Sequence, residues 1–137
     1  MTRPDPHASA DQGVVITISI LNASSADLTV ADGQLTGGAW RGPPPTPGAT
    51  LSTGPTTFVN TGQSPFSQVG GYIILTPAGG GSITLSWSWT RGVGLEAYGS
   101  VGGTSSLLLT YDPTNVSSFH PTVTYTITEP GAERACR

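Results

Sequence analysis

Three segments of the chain alternate apolar and polar residues with the period of two that is typical of a half-buried β-strand. Residues 82–90 place an isoleucine, a leucine and two tryptophans on one side and only hydroxyl side chains on the other. Residues 14–21 and 122–128 repeat the alternation with valine, isoleucine and tyrosine as the apolar members. Each of these segments is therefore predicted to be a strand with one face in a core.

Six further segments read as strands, and helix is predicted to be nearly absent. No window carries apolar residues at i, i+3, i+4 and i+7, and Gly or Pro interrupts almost every stretch of about ten residues. About nine short strands at this spacing predict an all-β fold, an antiparallel β-sandwich. The six segments are residues 26–30, 34–40, 56–60, 69–76, 93–101 and 105–111.

The breaks between these strands carry turn chemistry, with 19 glycines and 12 prolines in 137 residues. Asp32-Gly33 is typical of a tight hairpin, because a type I′ turn needs positive φ at both central residues. The three glycines at 79–81 are predicted to form a second hairpin tip. Residues 42–48 contain four prolines, which donate no backbone hydrogen bond, and are predicted to be an extended connection that crosses between the sheets.

The length of 137 residues is that of one domain. We expect a flexible leader over residues 1–12, a single sandwich over 13–130 and a flexible tail over 131–137. The leader is polar and has no apolar segment of the kind found in signal peptides. The protein is therefore expected to be soluble where it is made, and to be cytoplasmic or exported by a non-classical route.

The charge pattern restricts the partners. Only 9% of the residues are charged, there is no lysine, and the formal net charge is −3. Without a basic patch to neutralise phosphates, nucleic-acid binding is not expected. Electrostatic attraction to anionic lipids is disfavoured for the same reason. A membrane partner would have to be recognised by stacking, hydrogen bonding or apolar insertion.

Catalytic and metal-binding patterns are missing from the sequence. The single Cys136 excludes an internal disulfide and a cysteine-based metal site. The two histidines, His7 and His120, do not form a metal-binding motif, and there is no G-x-S-x-G elbow. We therefore expect no cofactor, no metal and no enzymatic activity.

The tryptophans are the strongest candidates for a binding site. Trp87 and Trp89 share one face of a strand, either as core residues or as a partly exposed stacking platform for a sugar ring or a lipid headgroup. The strand leads directly into Arg91 and a glycine, and arginine is suited to bidentate phosphate or carboxylate binding. Together with Trp40 and Tyr98, these residues form the ligand-binding set that we predict.

In order along the chain, these segments resemble the aegerolysins. The resemblance rests on VITISILN (15–22), LTVADGQLTGGAW (28–40), the proline-rich segment, GGYIIL (70–75) and the tryptophan-bearing strand before a glycine loop. It covers roughly residues 13–129, and Trp40, Trp87 and Trp89 match the tryptophan positions of the family. The resemblance implies a β-sandwich that binds membrane sphingolipids with sterol, or other headgroups. It also implies a separate pore-forming partner in cytolysis or insect toxicity.

Two features depart from the family pattern: Ser88 stands where an acidic residue is common after the strand tryptophan, and internal cysteines are absent. The lipid specificity and the oligomeric state therefore stay open. Two alternatives fit the composition as well. A lectin-like module would use the same aromatic residues to bind a glycan, and a self-assembling adhesive β protein would suit the Thr/Ser/Gly-rich surface.

Overall fold

The computed structural model describes residues 13–62, 68–103 and 107–129, and the sandwich is built from ten strands. In chain order they are β1 (Val15–Asn22), β2 (Leu28–Gly37), β3 (Ala39–Arg41), β4 (Thr50–Leu51), β5 (Gly54–Thr61), β6 (Val69–Pro77), β7 (Ser82–Thr90), β8 (Gly94–Gly102), β9 (Leu108–Thr114) and β10 (Thr122–Thr128). The first sheet has the order β3-β5-β1-β10-β9, and the second has the order β4-β2-β6-β7-β8.

The predicted all-β sandwich is confirmed, with ten strands where about nine were expected. The described residues contain no helix, and so none that is long and apolar enough to cross a bilayer. The leader and the tail, residues 1–12 and 131–137, lie outside the described residues.

All strand pairs are antiparallel except one. β1 and β10 run parallel, from the Thr17–Thr122 pair to the Asn22–Ile127 pair. The two strands lie side by side in the middle of the first sheet, so β10 separates β1 from β9. The period-two pattern predicts both strands but not their relative direction, because either direction buries the same face.

The core lies between the sheets and is made of the apolar members of the alternating segments. The isoleucines of β1 and the apolar residues of β7 and β10 are all at most 2% exposed. Tyr125 of β10 is fully buried, and its O–H donates to the backbone carbonyl of Ser86 in β7 at 2.6 Å. This hydrogen bond joins the two sheets through the centre of the sandwich.

The predicted hairpin at Asp32-Gly33 is wrong. β2 continues through both residues, with a bulge between Val30 and Asp32, and pairs with β6 on both sides of it. A Cβ atom at Gly33 would lie 2.6 Å from Cγ of Pro45. The glycine therefore allows the proline-rich segment to pack closely on the strand, a use of glycine that resembles a turn signal in the sequence.

The other two predicted connections are confirmed. Residues 78–81 join the antiparallel strands β6 and β7 as a hairpin tip. The proline-rich segment leads from β3 in the first sheet to β4 in the second, with Pro45 buried on the way.

Candidate functional site

The two strand tryptophans lie in the core. Trp87 and Trp89 are each 2% exposed, so the structure shows the core alternative and not an exposed stacking pair. The indole N–H of Trp87 donates to Oδ1 of the buried Asn60 at 3.0 Å. Trp40 is half-buried and packs edge-on against Trp87, with ring centroids 6.0 Å apart. Trp87 is therefore fixed in place and closed off from ligands.

Trp89 differs from Trp87 because a cavity opens beside it. A cavity of about 320 Å³ is lined by Trp89, Arg91, Gly92, Val93, Gly94, Ser117 and Phe119. This volume is at the lower end of the range of small-molecule sites, and is enough for a headgroup or a monosaccharide. Arg91 is the only ionisable residue among the seven.

Two loops from different sheets form the cavity at one end of the sandwich. The β7–β8 turn belongs to the second sheet, and the β9–β10 loop, residues 115–121, belongs to the first. The backbone N–H of Leu95 donates to the carbonyl of Val116 at 2.8 Å, and the indole N–H of Trp89 donates to the carbonyl of Ser118 at 3.1 Å. The ring of Phe119 lies 5.6 Å from that of Trp89. These contacts hold the two loops together.

Exposed apolar side chains lie on both of the loops that form the cavity. Val93 is 62% exposed and Val116 is 37% exposed, and they come from the two loops that form the cavity. Arg91 is exposed in the same turn. This end of the sandwich therefore combines an apolar rim, one cation and a headgroup-sized cavity, an arrangement that suits the polar–apolar boundary of a membrane.

The structure divides the predicted site residues into three groups. Trp89 and Arg91 meet at the cavity, whereas Trp40 and Trp87 lie together in the neighbouring part of the core. Tyr98 pairs with Ser86 in the β7–β8 register and is 56% exposed on the outer face of the second sheet. No ligand contact tests the roles of these five residues, which stay predictions.

Sequence reasoning missed Val93, Ser117 and Phe119 as cavity residues. A valine between two glycines after a strong strand was a usable signal for an exposed turn. The contribution of the β9–β10 loop had no such signal, because it depends on contacts more than twenty residues away in sequence, as between Leu95 and Val116.

Gly94 controls the contact between the two loops. Its φ is +94°, and a Cβ atom there would lie 2.4 Å from the carbonyl oxygen of Val116. We expect Gly94→Ala to lower the free energy of unfolding by about 2 kcal/mol, from backbone strain together with displacement of the loop. Gly92→Ala is the matched control, since φ is +87° but nothing lies within 4 Å. Urea unfolding of both variants measures the difference, and equal losses would contradict the close-contact role.

The described residues contain no group of three or more His, Cys, Asp or Glu side chains that could hold a metal ion. His120 is exposed in the β9–β10 loop, with its backbone N–H bonded to Oγ of Ser118 at 2.9 Å. The chemistry at this end of the sandwich therefore comes from the arginine, the hydroxyl and backbone groups, and the apolar side chains.

Comparison with known proteins shows the fold. No family model matches the chain, and no curated protein matches it in sequence. The crystal structure of the lipid-binding protein Nakanori is similar, with a TM-score of 0.69 and 15% identity over 84% of this chain and 71% of that chain. The crystal structure of IP-1A from Alcaligenes faecalis is also similar, with a TM-score of 0.63 and 11% identity over 88% of this chain and 94% of that chain.

The RahU protein, solved in complex with a Tris molecule, gives a TM-score of 0.65 and 10% identity over 86% of this chain and 96% of that chain. At such low identities the likeness shows the fold alone. The aegerolysin-like β-sandwich that the sequence resemblance implies is confirmed at that level.

Proposed function

We propose that this protein is a non-enzymatic membrane-lipid-binding module that receives a lipid headgroup in the cavity beside Trp89. The observation that carries the proposal is the combination of a headgroup-sized cavity with an exposed valine in its lining, Val93, and a second exposed valine, Val116, on the loop that forms its other side. A headgroup in the cavity would place the rim against the acyl-chain boundary of the same lipid. The fold shared with a protein described as lipid-binding supports this assignment.

Each wall of the cavity suits one part of a phosphate-bearing headgroup. Arg91 offers a guanidinium for the phosphate, and Ser117 a hydroxyl for a further polar group. Phe119 and Trp89 supply an aromatic wall for the apolar or quaternary-ammonium part of a headgroup. Because one arginine in a net-acidic protein contributes little long-range attraction, binding should change only weakly with salt and strongly with headgroup identity.

The finer assignment follows the aegerolysin resemblance. We propose a sphingolipid as the lipid, with sterol in the same membrane, and action with a separate pore-forming protein in cytolysis or insecticidal toxicity. We also propose synthesis as a soluble protein in the cytoplasm, with any export by a non-classical route.

Vesicle pelleting tests the proposal. The probes are sphingomyelin–cholesterol vesicles and phosphatidylethanolamine–cholesterol vesicles, which differ in headgroup at the same sterol content, each at low and at moderate salt. We expect the protein to pellet with the first and much less with the second. Failure to pellet with any vesicle, including ones made with other sphingolipids, would contradict lipid binding.

Substitutions beside the cavity test whether the cavity, and not another part of the surface, makes the contact with the membrane. Val93→Ser should weaken vesicle binding about tenfold, because it removes an apolar side chain that would be buried on docking. Arg91→Ala should weaken binding by a similar factor. The matched control is Leu108→Ser, because Leu108 is 45% exposed at the far end of β9 from the cavity loops. Equal losses in Leu108→Ser and Val93→Ser would place the membrane contact elsewhere.

A further inference from the structure

A second surface with recognition chemistry lies on the outer face of the second sheet. In the strand register, Gln34 pairs with Tyr72, Tyr72 with Ser86, and Ser86 with Tyr98. These four residues form one row across β2, β6, β7 and β8. Neighbouring strands are about 4.8 Å apart, so the Cα atoms of the two tyrosines are about 10 Å apart, with a serine between them.

The first tyrosine of the row is held in a polar cluster. The phenol O–H of Tyr72 donates to Oδ2 of Asp32 at 3.3 Å. The other oxygen, Oδ1, accepts from the backbone N–H of Gly33 at 2.9 Å and from Nε2 of Gln34 at 3.1 Å. Partial burial, followed by the charge and hydrogen bond of Asp32, raises the pKa of the Tyr72 phenol. A carboxylate, an amide and a phenol thus stand together at one end of the row.

The second tyrosine of the row is an exposed ring. Tyr98 is 56% exposed, next to Glu96 on the same face of β8. Between the two rings, β7 presents only hydroxyl side chains, those of Thr84, Ser86 and Ser88. Aromatic rings with a polar handle are typical of recognition surfaces, where the ring gives contact area and the polar groups give orientation.

The charge of this face selects the ligand class. The strand residues that face outward here include Asp32 and Glu96 but no arginine, and the sequence has no lysine. Phosphate-bearing ligands would meet two carboxylates and no cation, which disfavours them. A neutral polyol fits instead: its C–H faces stack on phenol rings, and its hydroxyls donate to a carboxylate and exchange hydrogen bonds with serine, threonine and glutamine side chains.

We propose that this face binds a neutral glycan chain that lies across the strands from Tyr72 to Tyr98. The spacing of about 10 Å between the Cα atoms of the two tyrosines corresponds to about two consecutive sugar rings of an extended β-linked glycan. The surface is separate from the cavity: the β7 side chains of this face point away from the core, whereas Trp89 of the same strand points into it. The module therefore has one site for a lipid and another for a glycan.

Titration of the full protein with cellohexaose, chitohexaose and laminarihexaose by calorimetry tests the proposal. We expect at least one of the three to bind, and Tyr98→Ala to weaken that binding about tenfold through loss of ring stacking. Asp32→Asn should weaken it by a smaller factor, and Tyr98→Phe should retain it because the ring remains. Leu108→Ser is the matched control, since it removes a large apolar side chain that is 45% exposed on the other sheet.

The outcomes separate the two sites. Binding to sphingomyelin–cholesterol vesicles should be unchanged in Tyr98→Ala. If the parent protein binds no lipid, the glycan result still stands, because the two sites are separate. The proposal is overturned if none of the three glycans binds, if Tyr98→Ala binds as the parent does, or if Tyr98→Ala acts only by abolishing a dimer on a sizing column. Because Tyr98 is exposed, the variant should melt as the parent does; if it does not, comparison of Tyr98→Phe with Tyr98→Ser decides the role of the ring.

Discussion

Replacing Asn60 by leucine should lower the free energy of unfolding by about 3 kcal/mol, because three backbone or indole partners lose their hydrogen bonds in a dry core. Asn60 is fully buried. Its Nδ2 donates to the carbonyls of Gly37 at 3.3 Å and Ala39 at 3.2 Å, and its Oδ1 accepts from the Trp87 indole. The side chain thus connects the β2–β3 junction, β5 and β7. Urea unfolding followed by tryptophan fluorescence measures the loss.

A double-mutant cycle shows whether the indole bond is part of this effect. Trp87→Phe removes the N–H donor, and the double variant with Asn60→Leu should be more stable than the sum of the single losses predicts, by about 1 kcal/mol or more. Full additivity would mean that the two side chains act independently and would contradict the proposed bond between the sheets.

Alkaline pH should destabilise the protein through Tyr125. Burial raises the pKa of this phenol, with a further contribution from the neighbouring Tyr111, against a smaller opposing effect of the bond to Ser86. The folded state therefore holds the proton more tightly than the unfolded state, whose phenol titrates near pH 10. Stability from this group is complete below about pH 10 and falls above it by about 1.4 kcal/mol per pH unit until the folded-state pKa is reached.

Tyr125→Phe should remove most of this pH dependence. The variant should lose about 1 kcal/mol at neutral pH, because the Ser86 carbonyl loses its donor, yet it should be less sensitive between pH 10 and 12. Tyr98→Phe is the control, since it removes a phenol that is exposed rather than buried. Denaturant unfolding at pH 8, 10 and 11 gives the pH dependence of the free energy of unfolding for the parent, Tyr125→Phe and Tyr98→Phe. A Tyr125→Phe slope equal to that of the parent would assign the alkaline transition to other groups.

The sequence predicted the elements of the fold more fully than their arrangement. β1, β7 and β10 were recognisable because each buries one face, and a one-residue shift would turn every apolar side chain to solvent. Asp32-Gly33 was misread because a glycine for close packing against Pro45 looks the same as a glycine for a turn. The parallel pairing of β1 with β10 had no local signal, since it joins residues about a hundred positions apart.

The candidate site was predictable only in part. The tryptophan strand leading into Arg91 pointed to the end of the sandwich where the cavity lies. The burial of Trp87 was not decided by the sequence, because a period-two pattern is equally compatible with a core face and an exposed platform. Tyr98 was grouped with the tryptophans in one predicted site, whereas the β7–β8 register pairs it with Ser86 on the opposite face of the sheet.

The position of β10 between β1 and β9 has a consequence for synthesis on the ribosome. Until the residues of β10 have left the exit tunnel, β1 lacks one of its two neighbours and β9 has none in the order of the first sheet. During that interval the nascent chain presents two open strand edges, both flanked by apolar side chains, which other chains can pair with. The first sheet can therefore close only after β10 has been synthesised, and until then chaperones would protect these edges from aggregation.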